Sequence, residues 1–203
     1  MNETFAFSAE NQALAKKIMA RYPAGRQASA VLPLLDLAQR QVGGWLPRAA
    51  MDHVAHVLDM APIRIYEVAT FYTMFNLQPV GKYLLQVCRT TPCWLRGADK
   101  LTETCKRRLG IGLKQTTTDG KFTLVEVECL GACVNAPVLQ VNDDFYEDLD
   151  PAKLETLLGK LARGEQPPPG SQIGRQNSAP VGGPTTLTEI GLTETTPTPT
   201  GNK

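Results

Sequence analysis

Two closely spaced cysteine pairs restrict this chain more than any other feature: Cys88 and Cys93 with four residues between them, and Cys129 and Cys133 with three. Each pair sits in a loop containing Gly or Pro and flanked by strand-like sequence, so folding can bring two two-thiolate claws around one metal centre. Soft thiolates select iron-sulfur clusters, zinc or copper(I) over calcium or magnesium. Closed four-cysteine zinc sites are common, but their ligands are two to four residues apart in repeated knuckles. The first loop here, Cys88 to Cys93 through Arg89, Thr90, Thr91 and Pro92, is wider. A two-iron, two-sulfide cluster uses two cysteines per iron, and its plant-type pattern also opens with a four-residue gap. That pattern needs a third cysteine at position 96, which is Arg96. Cluster and zinc both remain open at this point, as does a thiol-disulfide enzyme, which would more naturally carry a two-residue spacing.

Five cysteines is an odd number. The fifth, Cys105, recurs with Leu95, Ala98, Leu101 and Leu109 on one predicted helical face and reads as a buried small hydrophobe. Arg89 and Arg96 flank the first pair and can serve an anionic centre, a partner carboxylate or solvent. His53 and His56 have no nearby carboxylates in sequence and read as packing or solvent-facing residues. Trp94, Phe71, Tyr72 and Phe75 read as core or interface aromatics.

With 203 residues and 42% hydrophobic composition, one ordinary core and a small satellite domain are possible. The formal charge of +1 gives no field that would favour nucleic acid or an anionic membrane. No stretch reaches the length and apolarity of a bilayer span, so a soluble protein is expected, one free to dock on a membrane complex. Glu3 and Glu10 lie where an import presequence avoids acids, and no export is expected. The corresponding setting is the cytosol, or a matrix compartment after processing.

Residues from about Asn11 to Thr70 read as short helices punctuated at Tyr22 and Pro23, Gly43 and Gly44, Pro47, and Ala61 and Pro62. Pro47 and Pro62 suit the first helical position. From Lys82 the pattern changes: Tyr83 to Cys88 is strand-like, Trp94 to Leu109 helical, and Lys121 to Cys129 strand-like. Asp119 and Gly120 signal a hairpin, and a second is expected across Asn142, Asp143 and Asp144. Asp150 and Pro151 start a helix with Leu154, Leu157, Leu158 and Leu161 on one face, closed by Gly164.

Three units follow: a helical bundle over 1–80, an alternating α/β domain over 81–164, and a tail over 165–203. Thr occupies eight of positions 185 to 200 in that tail, which is expected to remain disordered. Thr91 and Pro92 are expected to cap a helix that carries Cys93 and Trp94 in its first turn, and Gly131 to let backbone N–H groups approach sulfur.

Three strings narrow the reading further. Phe71 to Phe75 (Phe-Tyr-Thr-Met-Phe), Val87 to Gly97 around the first pair, and Glu128 to Pro137 around the second closely resemble the small peripheral 2Fe-2S subunit of NADH:quinone oxidoreductase, respiratory complex I. The segment Asn142 to Asp148 matches as well, and the resemblance runs from about Asn11 to Leu161. It implies a thioredoxin-like 2Fe-2S ferredoxin domain, of α/β (α+β) class, behind an N-terminal helical bundle. It implies one 2Fe-2S cluster on Cys88, Cys93, Cys129 and Cys133, with Cys105 outside the ligand set. The implied partner is the flavoprotein subunit that carries FMN and the NADH site, so no catalytic substrate site is expected on this chain. The implied location is the cytoplasmic inner face of the bacterial membrane, or the matrix side of an organelle. Related subunits of NAD-linked hydrogenases and formate dehydrogenases carry the same motifs.

Overall fold

In the computed structural model, residues 4–183 and 185–186 are described. Along them run seven α-helices, two short 3₁₀ turns and six strands. By compactness the chain forms two units, the first comprising Met1–Leu85 and Leu109–Val125, the second Gln86–Arg108 and Glu126 onward.

The first unit is largely helical: α1 (Ala9–Met19), a 3₁₀ turn at Gln27–Ala30, α2 (Val31–Val42), α3 (Arg48–Val57) and α4 (Pro62–Phe71). The helix breaks fall where the punctuation placed them. Gly43 ends α2 in the left-handed region at φ 98°, a conformation that costs other residues a steric clash. Pro62 opens α4 as expected, whereas Pro47 lies one position earlier, as the N-cap of α3. Leu34, Leu35, Leu46, Val54 and Ile65 are fully buried and, with Phe7, Ile18 and Phe75, form the core of this unit. His53 packs edge-on against Phe5 and Phe7, with centroids 5.5 and 5.1 Å away, and its Nε2 accepts the Phe7 N–H at 3.4 Å. Burial lowers its pKa, as expected of a packed neutral imidazole.

The strands form one mixed sheet in the order β2–β3–β1–β4–β5–β6. They are β1 (Tyr83–Cys88), β2 (Gln115–Thr116), β3 (Phe122–Val127), β4 (Leu139–Val141), β5 (Asp144–Glu147) and β6 (Gly170–Ser171). The first predicted hairpin is antiparallel, pairing Gln115 with Leu124 and Thr116 with Thr123. Gly120 supplies φ 68°, and Asp119 Oδ1 accepts from Thr117 Oγ1 at 2.6 Å and from the Lys121 N–H at 3.0 Å. In the second hairpin Val141 faces Asp144, so the turn itself is Asn142 and Asp143, with Asn142 left-handed at φ 55°.

In the second unit, α5 (Thr91–Leu95), α6 (Ala98–Leu109) and α7 (Pro151–Ala162) complete the fold. Asp150 caps α7 by accepting the Lys153 N–H at 2.8 Å, and its carboxylate also pairs with the Lys153 ammonium. Those contacts, the ammonium foremost, lower the Asp150 pKa. A depressed carboxyl pKa stabilises the fold above the unfolded value of about 3.9, and the contribution disappears as pH falls through the native value. Asp150→Ala is expected to cost about 1 kcal/mol at neutral pH, read from denaturant midpoints, with the difference from the unmodified chain shrinking on acidification.

Two expectations are corrected. The continuous helix from Trp94 to Leu109 is broken at Gly97, φ 93°, into α5 and α6. Leu95 therefore leaves the predicted apolar face and is 70% exposed, while Leu101 and Cys105 stay buried. The segment after Glu165 is not free of structure: Gly170–Ser171 pairs in parallel with Tyr146–Glu147, and Tyr146 Oη donates to the Pro167 carbonyl at 3.1 Å. The apolar residues are indeed sparse there. Backbone pairing and side-chain hydrogen bonds hold this part of the chain instead. Most of the Thr-rich stretch, 187–203, lies outside the described residues.

Candidate metal centre

All four paired cysteines lie in the second unit. Cys88 ends β1, and Cys93 lies in the single helical turn that follows, both sulfurs buried. Thr90, in extended conformation, precedes that turn as its N-cap with no side-chain cap hydrogen bond, in place of the predicted Thr91. Its hydroxyl instead stands 3.3 Å from Cys88 Sγ. Five residues of helix supply little dipole, so the anionic character of a metal-thiolate centre is met by individual donors.

Cys129 follows β3, and Cys133 opens a three-residue 3₁₀ turn, Cys133–Asn135; both are exposed. The Gly131 N–H donates to Cys129 Sγ at 3.4 Å, as the loop composition predicts. The backbone adds a second reason for glycine: φ is 82°, and a Cβ there would meet no protein atom within 4 Å. The left-handed backbone alone favours glycine at this position.

Cys129 Sγ and Cys133 Sγ are 3.6 Å apart. A disulfide would need roughly 2.05 Å, whereas two thiolates on one tetrahedral metal with roughly 2.3 Å bonds stand about 3.8 Å apart. The second pair is thus spaced for one shared metal ion. Among the described residues no three His, Cys, Asp or Glu side chains converge on a single ion position.

The thiols differ in acidity. At Cys88 burial is the largest influence and acts upward, but hydrogen bonds from Thr90, the Leu130 backbone and Cys93 outweigh it, and its pKa is lowered. Cys93 is pushed up to about 12, first by burial and then by its hydrogen bond to Cys88. Within the second pair the Gly131 N–H and the hydrogen bond from Cys133 lower Cys129, while that same bond raises Cys133. Each pair therefore holds one thiol readier to ionise and one that retains its proton, and metal uptake must expel the retained proton. Cys105, 0% exposed, is pushed up to about 12 by burial alone and has no thiol partner. It packs as a core residue.

Arg89 is engaged: its guanidinium bonds Glu128 at 2.9 Å, linking the residue after Cys88 to the residue before Cys129. These two residues, with Thr90, Thr91 and Trp94, line an open cleft of about 330 Å3. Arg96 is exposed. Trp94, Leu95 and Val134 are 55, 70 and 65% exposed, next to Cys93 and Cys133 in sequence. The sequence reading anticipated Trp94 as core or interface but missed Leu95 and Val134, because the break at Gly97 and the 3₁₀ turn at Cys133 leave no periodic signal. It also missed Arg175, which bonds the Val134 carbonyl at 3.2 Å from a segment expected to be free.

The family described as thioredoxin-like 2Fe-2S ferredoxin matches residues 15–162. A protein of Rickettsia bellii (strain RML369-C), named as a subunit of NADH-quinone oxidoreductase, is 60% identical over 157 residues, 77% of this chain and 94% of the relative. The protein named NADH dehydrogenase (ubiquinone) flavoprotein 2, mitochondrial, of Dictyostelium discoideum is 52% identical over 185 residues, 91% of this chain and 75% of the relative. Among solved structures, an NAD+-reducing NiFe-hydrogenase in the air-oxidised state superposes with a TM-score of 0.57 at 22% identity. That match covers 64% of this chain and 23% of the hydrogenase chain, and it shows a shared fold.

Proposed function

Since the chain belongs to the thioredoxin-like 2Fe-2S ferredoxin family, we propose that it is the electron-transfer subunit of a proton-pumping NADH:quinone oxidoreductase, with Cys88, Cys93, Cys129 and Cys133 as the cluster ligands. The observation that carries the ligand reading is the 3.6 Å separation of Cys129 and Cys133, a two-thiolate bite for one iron. Cys88 and Cys93 supply the other bite. When bound, the cluster exchanges single electrons with the FMN of the partner flavoprotein, which itself takes hydride from NADH.

The chain's own residues serve that exchange in three ways. With two cysteine sulfurs from each pair, the chain would fill the protein's share of the coordination positions with sulfur and leave none for water or substrate, so the site would pass electrons and not act as a Lewis acid. The Gly131 N–H donates to Cys129 Sγ, and the Thr90 hydroxyl, 3.3 Å from Cys88 Sγ, would donate once that sulfur is a thiolate; both would favour the more negative state of the centre. Trp94, Leu95 and Val134 are exposed apolar side chains close in sequence to Cys93 and Cys133, and they offer a partner water-excluding contact beside the ligands.

The assembly is the respiratory complex; the relatives at about 60% identity support it over the hydrogenase or formate dehydrogenase alternative. Among the described residues no helix is long and apolar enough to cross a membrane. We place the chain peripherally, on the inner face of the bacterial inner membrane or the corresponding matrix face. The same reading divides the chain into a helical bundle over 1–80 and a ferredoxin domain over 81–164.

Isolation of the chain with its neighbours, followed by iron and acid-labile sulfide analysis and spin resonance after reduction, tests the reading. Two iron and two sulfide per chain, with a paramagnetic signal that appears only on reduction, are expected; a colourless protein holding zinc would overturn it. A second expectation concerns Trp94. Trp94→Ala is expected to weaken association with the flavoprotein subunit by about tenfold or more, as loss of an exposed aromatic anchor does, while leaving the visible spectrum unchanged. Titration of the isolated partners measures it.

A further inference from the structure

The ligand loop that presents Cys133 is poorly self-supporting. Its only regular element is the 3₁₀ turn Cys133–Asn135, and turns of that length have weak hydrogen-bond geometry of their own. Support comes from far along the chain. Beyond α7, residues 167–179 run along the edge of β5 as a strap: β6 pairs with Tyr146 and Glu147, and the Gln172 N–H donates to the Glu147 carbonyl at 3.0 Å.

From this strap Arg175 reaches inward. Its Nη1 donates to Asp148 Oδ1 at 3.1 Å and to the Val134 carbonyl at 3.2 Å, and its Nε donates to the Ala179 carbonyl at 2.9 Å. Ser171 Oγ donates to the other Asp148 oxygen at 2.7 Å and accepts the N–H groups of Ile173 and Arg175. The side chains of Arg175 and Asp148 are 10 and 8% exposed, so this ion pair is well buried, unlike the solvent-washed pairs elsewhere on the molecule. Asn135, 3% exposed, completes the clamp: its Nδ2 donates to the strap carbonyl of Asn177 at 2.8 Å and to Glu147. Both residues that follow Cys133 are therefore bonded to the strap.

We propose that Arg175 is a positioning residue for the centre, fixing through Val134 the direction in which Cys133 presents its sulfur. The inference rests on the reading of Cys133 as a ligand. A guanidinium suits the role because its planar fork reaches three acceptors at fixed angles, and the buried Asp148 charge holds it in place. Partners in the outer shell set the geometry and electron density of metal ligands, so loosening this one alters both retention of the metals and the electronic signature of the centre.

The test uses the full-length chain with its cluster assembled, in four forms: unmodified, Arg175→Ala, Arg175→Lys, and Arg175→Ala with Asp148→Asn. Read out are the rate of iron loss to a chelator, the g values of the reduced-state spin resonance, and the thermal midpoint. Arg175→Ala is expected to lose iron about tenfold faster or more, with shifted g values. Arg175→Lys is expected to fall between, since an ammonium can face Asp148 but cannot span all three acceptors. The double variant removes the orphaned buried carboxylate and is expected to recover thermal stability while still losing iron rapidly, because the bond to Val134 remains absent. Should Arg175→Ala fail to fold, the lysine and double variants decide the matter. Wild-type g values and iron retention in the double variant would overturn the inference, leaving Arg175 as a structural residue only. An unmodified chain that takes up no iron at all would remove the ligand reading, and this inference with it.

Discussion

Cys129→Ser is expected to bleach the visible absorption of the purified chain and to reduce its bound iron by about tenfold or more, whereas Cys105→Ser leaves both intact. The contrast follows from where the two thiols sit. Cys129 is exposed, accepts the Gly131 N–H and stands 3.6 Å from Cys133, so its removal leaves one metal with a single protein sulfur. A serine oxygen at the same position is a harder and more basic donor, poorly matched to a centre that binds through soft thiolates. Cys105 touches no other cysteine and is 0% exposed in the second unit, where Leu101 is also buried. Serine there buries a hydroxyl in place of a weakly polar thiol, at a cost of about 1–3 kcal/mol in stability. Iron analysis and the absorption spectrum check the first half, and denaturant midpoints the second. Loss of the cluster in Cys105→Ser with retention in Cys129→Ser would reverse the ligand assignment.

Much of this arrangement was legible from residue order because the signals involved are local. Asp119 and Gly120 specify a tight turn whatever surrounds them, and Asp150 with Pro151 specifies a helix start; both occur as read. The spacing of Cys129 and Cys133 likewise translates into proximity, with 3.6 Å between their sulfurs, since residues within one short loop stay close. What was illegible depends on contacts between distant residues or on a single backbone angle. Gly97 sits inside an apolar pattern that continues across it, and only its φ of 93° reveals the break that leaves Leu95 exposed. Arg175 lies 41 residues from Val134 in a stretch whose composition argues against a core, and composition is silent on hydrogen bonds to backbone carbonyls. The first segment after α7 is thus held by polar contacts that hydrophobic patterning cannot register.

The acidity pattern within the two pairs connects these observations to assembly. Burial holds Cys93 at about 12, and the shared hydrogen bond keeps a proton on Cys133, so at neutral pH each pair offers one better donor and one protonated thiol. Thiolate ligation of a metal would release the remaining proton from each pair on assembly.

Gly81→Ala is expected to lower stability by about 2–3 kcal/mol, the second large effect, and the reason lies in the backbone and not in a side chain. A Cβ built on Gly81 falls 2.9 Å from the Lys121 carbonyl carbon and oxygen and from the Phe122 nitrogen. None of these atoms can rotate away, as the tip of a flexible side chain could. The approach is close because the chain here is laced to the turn of the β2–β3 hairpin: the Gly81 N–H donates to Thr123 Oγ1 at 2.7 Å, the Lys82 N–H to the Gly120 carbonyl at 3.0 Å and the Tyr83 N–H to the Lys121 carbonyl at 2.7 Å. Tyr83 and Phe122 then stack with centroids 5.4 Å apart, both buried. Relieving the methyl clash means moving one strand away from the other, which lengthens these hydrogen bonds together and opens the aromatic pair to water. The neighbouring Gly120 offers an internal control of a different kind. Its Cβ would meet nothing within 4 Å, so Gly120→Ala incurs only the strain of φ 68°, of order 1 kcal/mol. Denaturant titration of the two variants separates steric exclusion from conformational strain, and a Gly81→Ala chain as stable as Gly120→Ala would show that the strands can part without loss.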